Sequence, residues 1–215
     1  MRIVTARLVL RDLADDDAPA FLAYQPDPRY APLRGPGEAD PDHARRLLRE
    51  FERWRSERPR RNHQLGAFRR DRAGTLVGCC GLRAAGHPEG TAELGVELAP
   101  DFWGRYGYAV EIVRALLGFG FGSLGLGEVR GVTASGNARV ARLAGWFGAR
   151  VTATRPGPGW MAARGWREVE WRVTRAEWER SPASAVRRGR RADVLEALPL
   201  LAALPHLGCA GRWFC

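Results

Sequence analysis

Residues 91–124 read TAELGVELAPDFWGRYGYAVEIVRALLGFGFGSL. Thr91 to Leu98 alternates like a strand, Pro100-Asp101 signals a turn, and a helix is expected from Tyr108 to Leu124. There Ala109, Ile112, Val113, Leu116, Gly120 and Leu124 recur at three- and four-residue steps, the period of one buried helix face. The order is strand, glycine-containing loop, helix. The first N–H groups of such a helix lack carbonyl partners one turn back and carry partial positive charge, so a loop with Gly104 and Gly107 lets a phosphate approach them closely. Arg105 adds a formal positive charge beside them. Residue chemistry alone gives an anion cradle.

The flanking sequence narrows its use. Gly104-Arg105-Tyr106-Gly107-Tyr108-Ala109 fits all but the first marked position of the Q/R-x-x-G-x-G/A loop. Thr5-Ala6-Arg7-Leu8-Val9-Leu10-Arg11 has the form T-x-R-L-x-L-R, and Asn137 to Gly148 looks like an N-x-x-S helix leading to K-L-G-F. In this order the stretches resemble the GNAT N-acetyltransferases, in the branch that acetylates ribosomal-protein N-termini and related amines. The branch loop usually reads W-G-K/R-G-Y-A, so Tyr106 is one residue extra. The resemblance covers roughly Met1 to Trp178. It implies a single α/β (α+β) domain over residues 1–180, with a central mixed, mostly antiparallel sheet flanked by helices. Residues 181–215 read as a separate C-terminal extension.

Length and composition agree with one domain. The chain has 215 residues, 45% of them hydrophobic, with eight Trp and eight Phe, enough for a sizeable core. The net charge is +10, and with no lysine in the chain every Lys+Arg position is arginine. Such a field favours acidic small molecules and raises non-specific nucleic-acid affinity at low salt. A nucleic-acid-binding protein is a rival reading, but no recognised motif supports it and the aromatic residues are not interleaved with basic ones to stack bases. No apolar run is long enough to span a membrane, and the N-terminus lacks a signal-peptide core, so the expected location is the cytoplasm. Cys79, Cys80, Cys209 and Cys215 form no C-x-x-C pair and no metal-ligand spacing, so reduced structural thiols and no metal are expected.

Along the chain, Arg7 to Arg11 reads as a strand at a sheet edge and Asp15 to Tyr24 as a short helix. Gln25 to Pro41, with five prolines and two glycines, reads as an irregular loop flanking the acceptor side. Pro41 to Arg58 is helical, its arginines read as a solvated face in preference to a nucleic-acid surface. His63 to Arg69, Leu76 to Leu82 and Thr91 to Leu98 suggest an antiparallel meander. His63 is a conceivable acid–base group, with a structural role preferred. Glu128 to Thr133 is a strand and Asn137 to Phe147 a helix. Ala149 to Thr154 and Arg167 to Thr174 are strands separated by the turn-rich 156–159, and Arg175 to Arg180 is a closing helix. Gly120 to Gly125 satisfies G-x-G-x-x-G, but the helix precedes it instead of following it, which rules out a dinucleotide fingerprint. Beyond Ser181 lie a basic cluster, Arg187 to Arg191, and an apolar segment, Val194 to Leu204, that either packs on the domain or meets a partner chain, as in a homodimer.

The resemblance implies direct transfer of an acetyl group from acetyl-CoA to a primary amine, with no covalent enzyme intermediate. The pantetheine arm would lie between splayed strands, held by the backbone of Val96 and Leu98. The N–H groups of Gly104, Arg105, Tyr106, Gly107, Tyr108 and Ala109 would hold the pyrophosphate, and Asn137 the cofactor arm. By alternation, Glu93, Gly95 and Glu97 share one face of their strand, and either carboxylate could take the amine proton, directly or through a water. Related enzymes carry a Ser or a Tyr where this chain has Val140 and Ala144, so no general acid stands there. Either the thiolate leaves unassisted, or Ser135 substitutes, or the protein is a catalytically impaired acyl-CoA-binding or interaction module.

Overall fold

The strand Thr91–Leu98 (β5) ends in a short 3-10 turn, Pro100–Phe102, and the chain then enters the helix Tyr108–Gly122 (α3) before returning as the strand Glu128–Ala134 (β6). A crossover of this length brings β6 alongside β5 in the same direction. β5–β6 is the one parallel pair in the sheet described by the computed structural model, which covers residues 1–185 apart from 39, 73, 105 and 106. The sheet has eight strands in the order β1-β2-β3-β4-β5-β6-β8-β7. The others are β1 (Arg2–Val4), β2 (Leu8–Arg11), β3 (Asn62–Arg69), β4 (Leu76–Arg83), β7 (Arg150–Pro156) and β8 (Arg167–Thr174). All their pairings are antiparallel. The mixed, mostly antiparallel sheet read from the sequence is present, flanked by helices on both faces.

On one face α3 buries Ile112, Val113, Leu116, Leu117 and Phe121 against Leu65, Leu82, Leu94 and Leu98. On the other, Ala18–Tyr24 (α1) and Pro41–Ser56 (α2) bury Phe21, Leu47, Phe51 and Trp54 against Phe68, Leu76 and Cys79. Removing apolar surface from water on both sides, at about 25 cal/mol per Å², is what holds the three layers together. The remaining helices are Ala138–Trp146 (α4), Gly159–Ala162 (α5), Arg175–Arg180 (α6) and Pro182–Ala185 (α7). Thr174 and Glu177 cap α6 reciprocally, and Ala183 of α7 is fully buried on the α3 core. The segments Arg187–Arg191 and Val194–Leu204 lie outside the described residues.

Three local expectations differ from what is observed. The strand read as a sheet edge, here β2, is interior, because the three-residue β1 pairs along its outer side. The proline-rich loop holds two 3-10 helices, Pro28–Leu33 and Pro36–Glu38, the first opened by Asp27, whose Oδ1 accepts the Arg29 N–H at 2.9 Å. The turn-rich stretch after β7 continues into α5. The glycine at the end of α3 serves packing. A Cβ on Gly120 would lie 2.9 Å from Leu82 Cδ1, so its absence permits the close crossing of helix over strand.

Candidate active site

The site begins where strand pairing stops. β5 and β6 are joined only from Thr91↔Glu128 to Glu93↔Arg130, although β5 runs on to Leu98 and β6 to Ala134. Beyond Glu93 the strands part. Hydrogen-bonding direction along β5 then decides what faces the gap. The Ala99 N–H donates to the Val77 carbonyl, and the Leu98 carbonyl is turned away from β4 to accept from Tyr30 OH and Trp103 Nε1. Since bonded and non-bonded residues alternate in an antiparallel pair, Glu97 and Gly95 bond to β4 while the backbone groups of Val96 and the N–H of Leu98 point into the gap. A buried main-chain donor needs a partner, so this edge suits an extended ligand with amide groups.

The gap opens into a cavity of about 600 Å³ between α3 and α4, within the usual range for small-molecule sites. Its walls include Val96, Leu98, Val113, Val132, Leu143 and Trp171. At its mouth Gly104 and Gly107 have φ of +65° and +64°, the left-handed region that glycine alone enters without strain. Gly107 is the N-cap of α3, and the first bond of the helix runs from the Glu111 N–H to the Gly107 carbonyl at 3.2 Å. Ala109 and Val110 stand in the first turn of this helix, where N–H groups generally lack an intrahelical partner, and both residues line the cavity. An anionic ligand fits this end. Tyr108 also lines the cavity; Arg105 and Tyr106 lie outside the described residues.

The T-x-R-L opening has a physical explanation here. Glu111, in the first turn of α3, accepts from Thr5 Oγ1 at 2.6 Å, from the Arg7 N–H at 2.7 Å and from Arg7 Nε at 2.7 Å. Burial raises the Glu111 pKa, but these donors outweigh it and hold the carboxyl below its ordinary value. The first hairpin is thus bolted to the N-terminus of α3, beside Gly107. Sequence reading missed Glu111 because its partners lie about a hundred residues away.

The other candidates divide between two places. Asn137 lines the cavity and caps α4, its Oδ1 accepting the Val140 N–H at 3.3 Å. Val140 and Ala144 also line the wall, so the positions expected to lack a general acid do face the cavity. Glu93 and Glu97 lie on the opposite face of β5. Glu93 accepts from Arg83 Nη2 at 2.7 Å, with His87 Nε2 at 3.7 Å, and a Cβ on Gly95 would lie 3.0 Å from the same guanidinium. Burial pushes the Glu93 carboxyl up, yet His87 and Arg83 together bring it below its ordinary range. Glu97 is 3% exposed and joined to Gln25 Nε2 at 2.6 Å and Arg34 Nη2 at 2.7 Å. Ser135 is not in the cavity wall. It extends the β6–β8 pairing, its N–H donating to the Arg167 carbonyl and its Oγ accepting the Arg167 N–H at 3.0 Å. His63 sits against Phe119 of α3, with ring centroids 5.3 Å apart, away from the cavity wall. Burial lowers its pKa to about 4, so it is neutral near pH 7.

Residues 7–150 match the family model described as the Acetyltransferase (GNAT) domain. The uncharacterized N-acetyltransferase YoaA of Bacillus subtilis is 32% identical over 142 residues, 65% of this chain and 77% of that protein. Two solved structures share the fold. Spermidine N-acetyltransferase from Vibrio cholerae, in complex with CoA and spermine, aligns with a TM-score of 0.65 at 16% identity over 80% of this chain and 97% of that one. The ribosomal-protein-S5-alanine acetyltransferase from Vibrio fischeri aligns with a TM-score of 0.66 at 12% identity over 83% and 98%. The chain belongs to the GNAT family of acetyltransferases. It is an N-acetyltransferase whose donor is an acyl-CoA and whose acceptor is an amine. No described helix is long and apolar enough to cross a membrane.

Proposed function

We propose that the donor is acetyl-CoA and that its acetyl group passes directly to a primary amine at the parting of β5 and β6. The observation that carries this reading is the gap itself, with main-chain donors of Val96 and Leu98 along one side and an open helix N-terminus at its mouth. Val96 and Leu98 hold the amide groups of the pantetheine arm. Gly104, Gly107, Tyr108 and Ala109 hold the pyrophosphate, with Arg105 adding positive charge and Tyr106 completing the loop. Asn137 serves both as helix cap and as a partner of the arm.

In the transfer the amine nitrogen bonds to the thioester carbonyl carbon, the carbon–sulfur bond breaks, and the sulfur leaves with the bonding electrons. A main-chain N–H of β5 stabilises the carbonyl oxygen as it gains charge. Glu93 takes the amine proton through a water. Its depressed pKa keeps it ionised and able to accept near pH 7. Val140 and Ala144 supply no proton to sulfur, and Ser135 is engaged elsewhere, so the thiolate leaves unassisted. An ordinary thiol has a pKa of about 8.5, low enough to make that departure feasible.

The test is calorimetric titration with acetyl-CoA, followed by turnover with protein N-terminal peptides, polyamines and aminoglycosides. Micromolar binding with turnover of at least one amine supports the proposal; no binding of acetyl-CoA overturns it. Binding without turnover of any amine supports the second reading, an acyl-CoA-binding module, which the absence of hydroxyls at Val140 and Ala144 favours.

A further inference from the structure

A continuous set of contacts crosses the C-terminal end of β5, from the buried polar face to the mouth of the cavity. It starts at Glu97, whose Oε1 accepts from Gln25 Nε2 and whose Oε2 accepts from Arg34 Nη2. The Arg34 guanidinium also donates to the Gln25 carbonyl and to Gln25 Oε1, each at 2.7 Å, and lies 3.8 Å above the Tyr30 ring. Tyr30 OH donates to the Leu98 carbonyl at 2.6 Å, and Trp103 Nε1 donates to that same oxygen at 2.7 Å. The Tyr30 and Trp103 rings meet edge to face at 5.2 Å. From across the gap the Arg139 guanidinium of α4 stacks over Trp103 at 5.3 Å. Tyr30, Trp103 and Arg139 line the cavity, whereas Glu97 does not.

We infer that Glu97 is a positioning residue: through Arg34 and Tyr30 it locks Trp103 onto the Leu98 carbonyl and so fixes the mouth through which the acyl-CoA enters, and it does not take the amine proton. The inference rests on the gap being the acyl-CoA channel. Both carboxylate oxygens of Glu97 are occupied by donors from the 25–34 segment, and the side chain points away from the cavity. Its negative charge holds the guanidinium over the Tyr30 ring. A glutamine there would satisfy Gln25 but would not hold Arg34. With Tyr30 displaced, the Leu98 carbonyl keeps one donor of two, and Trp103 is free to swing with Arg139 into the mouth. A pre-set mouth lowers the ordering cost of binding, so the effect is read in donor affinity.

The test uses two readouts. The first needs no ligand: the Trp103 indole N–H, assigned by its disappearance in Trp103→Phe, is followed by deuterium exchange. Glu97→Gln and Tyr30→Phe are each expected to speed its exchange about tenfold, as one hydrogen bond's worth of local stability is lost. The second is kinetic. In Glu97→Gln the KM for acetyl-CoA rises about tenfold, the scale of one hydrogen bond, while kcat and the acid limb of its pH profile stay. Unchanged Trp103 exchange in both variants overturns the inference. Loss of the acid limb with KM unchanged also overturns it and makes Glu97 the base. Should Glu97→Gln fail to fold, Tyr30→Phe, which removes one oxygen and no charge, decides by the exchange readout. Failure of the unaltered protein to bind acetyl-CoA strikes the functional proposal instead, and the exchange readout still separates the two.

Discussion

The two faces of β5 solve opposite problems with the same eight residues. On the α3 side, Leu94, Val96 and Leu98 present apolar side chains and direct main-chain groups into a gap. On the α2 side, Glu93 and Glu97 are each closed off by an arginine, Arg83 and Arg34, at 2.7 Å. The first face is shaped to receive something. The second is closed around Glu97, whose two oxygens are satisfied from within the chain, whereas Glu93 pairs one oxygen with Arg83 and keeps the other 3.7 Å from His87. The contrast teaches that two acidic residues next to a ligand cavity need not be catalytic alike. Which one is available depends on what its partners hold in place, and Glu97, with donors on both oxygens, is the more committed of the two.

The largest effect should come from opening the filled face. Arg34→Met leaves Glu97, 3% exposed, without its guanidinium, and urea unfolding is expected to show a loss of about 3–5 kcal/mol, the usual cost of stranding one member of a buried pair. Replacing both, as Arg34→Met with Glu97→Leu, should recover most of that loss. A single-variant loss under about 1 kcal/mol would mean that the filled face matters less to the fold than its burial suggests.

Next in size is a group on the apolar face. Burial, then Arg60, lowers the His63 pKa from 6.5 to about 4. Because the folded pKa lies below the unfolded one, the stability from a neutral His63 is complete above pH 6.5 and is lost as pH falls toward 4. The loss should reach roughly 3 kcal/mol at the lower end. Stability of His63→Leu measured over this window should fall less steeply than that of the unaltered chain by that amount. Equal slopes would show that His63 is solvated despite its place against Phe119.

A smaller change tests the receiving face directly. Gly107→Glu puts a side chain at φ +64° and a negative charge at the start of α3. A carboxylate there is itself favoured by the helix dipole, so it competes with the ligand's phosphates for the α3 N–H groups; that competition, at about 1–2 kcal/mol, should weaken acetyl-CoA binding roughly 5- to 30-fold. Unaltered affinity would remove the helix N-terminus from the site. Smallest of all, Ser135→Ala should leave kcat within about twofold, as for a surface change away from the chemistry. A drop of a hundredfold would return Ser135 to the reaction despite its bonding to Arg167.

Much of this was readable from residues 91–124, because strand, glycine loop and helix each carry a local signature: alternation, positive-φ residues and a 3.6 period. The meander from β3 to β5 was legible for the same reason. What stayed hidden depends on contacts distant in sequence. β1 is three residues long, too short for a pattern, and exists because β2 offers it an edge. Glu97 looks like Glu93 in an alternating strand, and nothing nearby announces that Arg34, 63 residues earlier, covers it. Glu111 looks like any acid in a first helical turn until Thr5 and Arg7 fold onto it. Ser135 stood two residues before Asn137 and seemed close to the chemistry, but β8 takes its hydroxyl.

The donor edge of the gap consists of peptide groups, not side chains. Peptide groups are the same whatever codon stands behind them. Substitution at Val96 or Leu98 changes the bulk beside the ligand but leaves the N–H groups of those positions where they are, so long as the strand persists and proline is avoided. Mutation can therefore wander widely along this edge without erasing its hydrogen-bonding capacity. The inherited trait is the departure of one strand from its neighbour, and a lineage keeps it by preserving backbone direction, with little demand on which amino acids are spelled there.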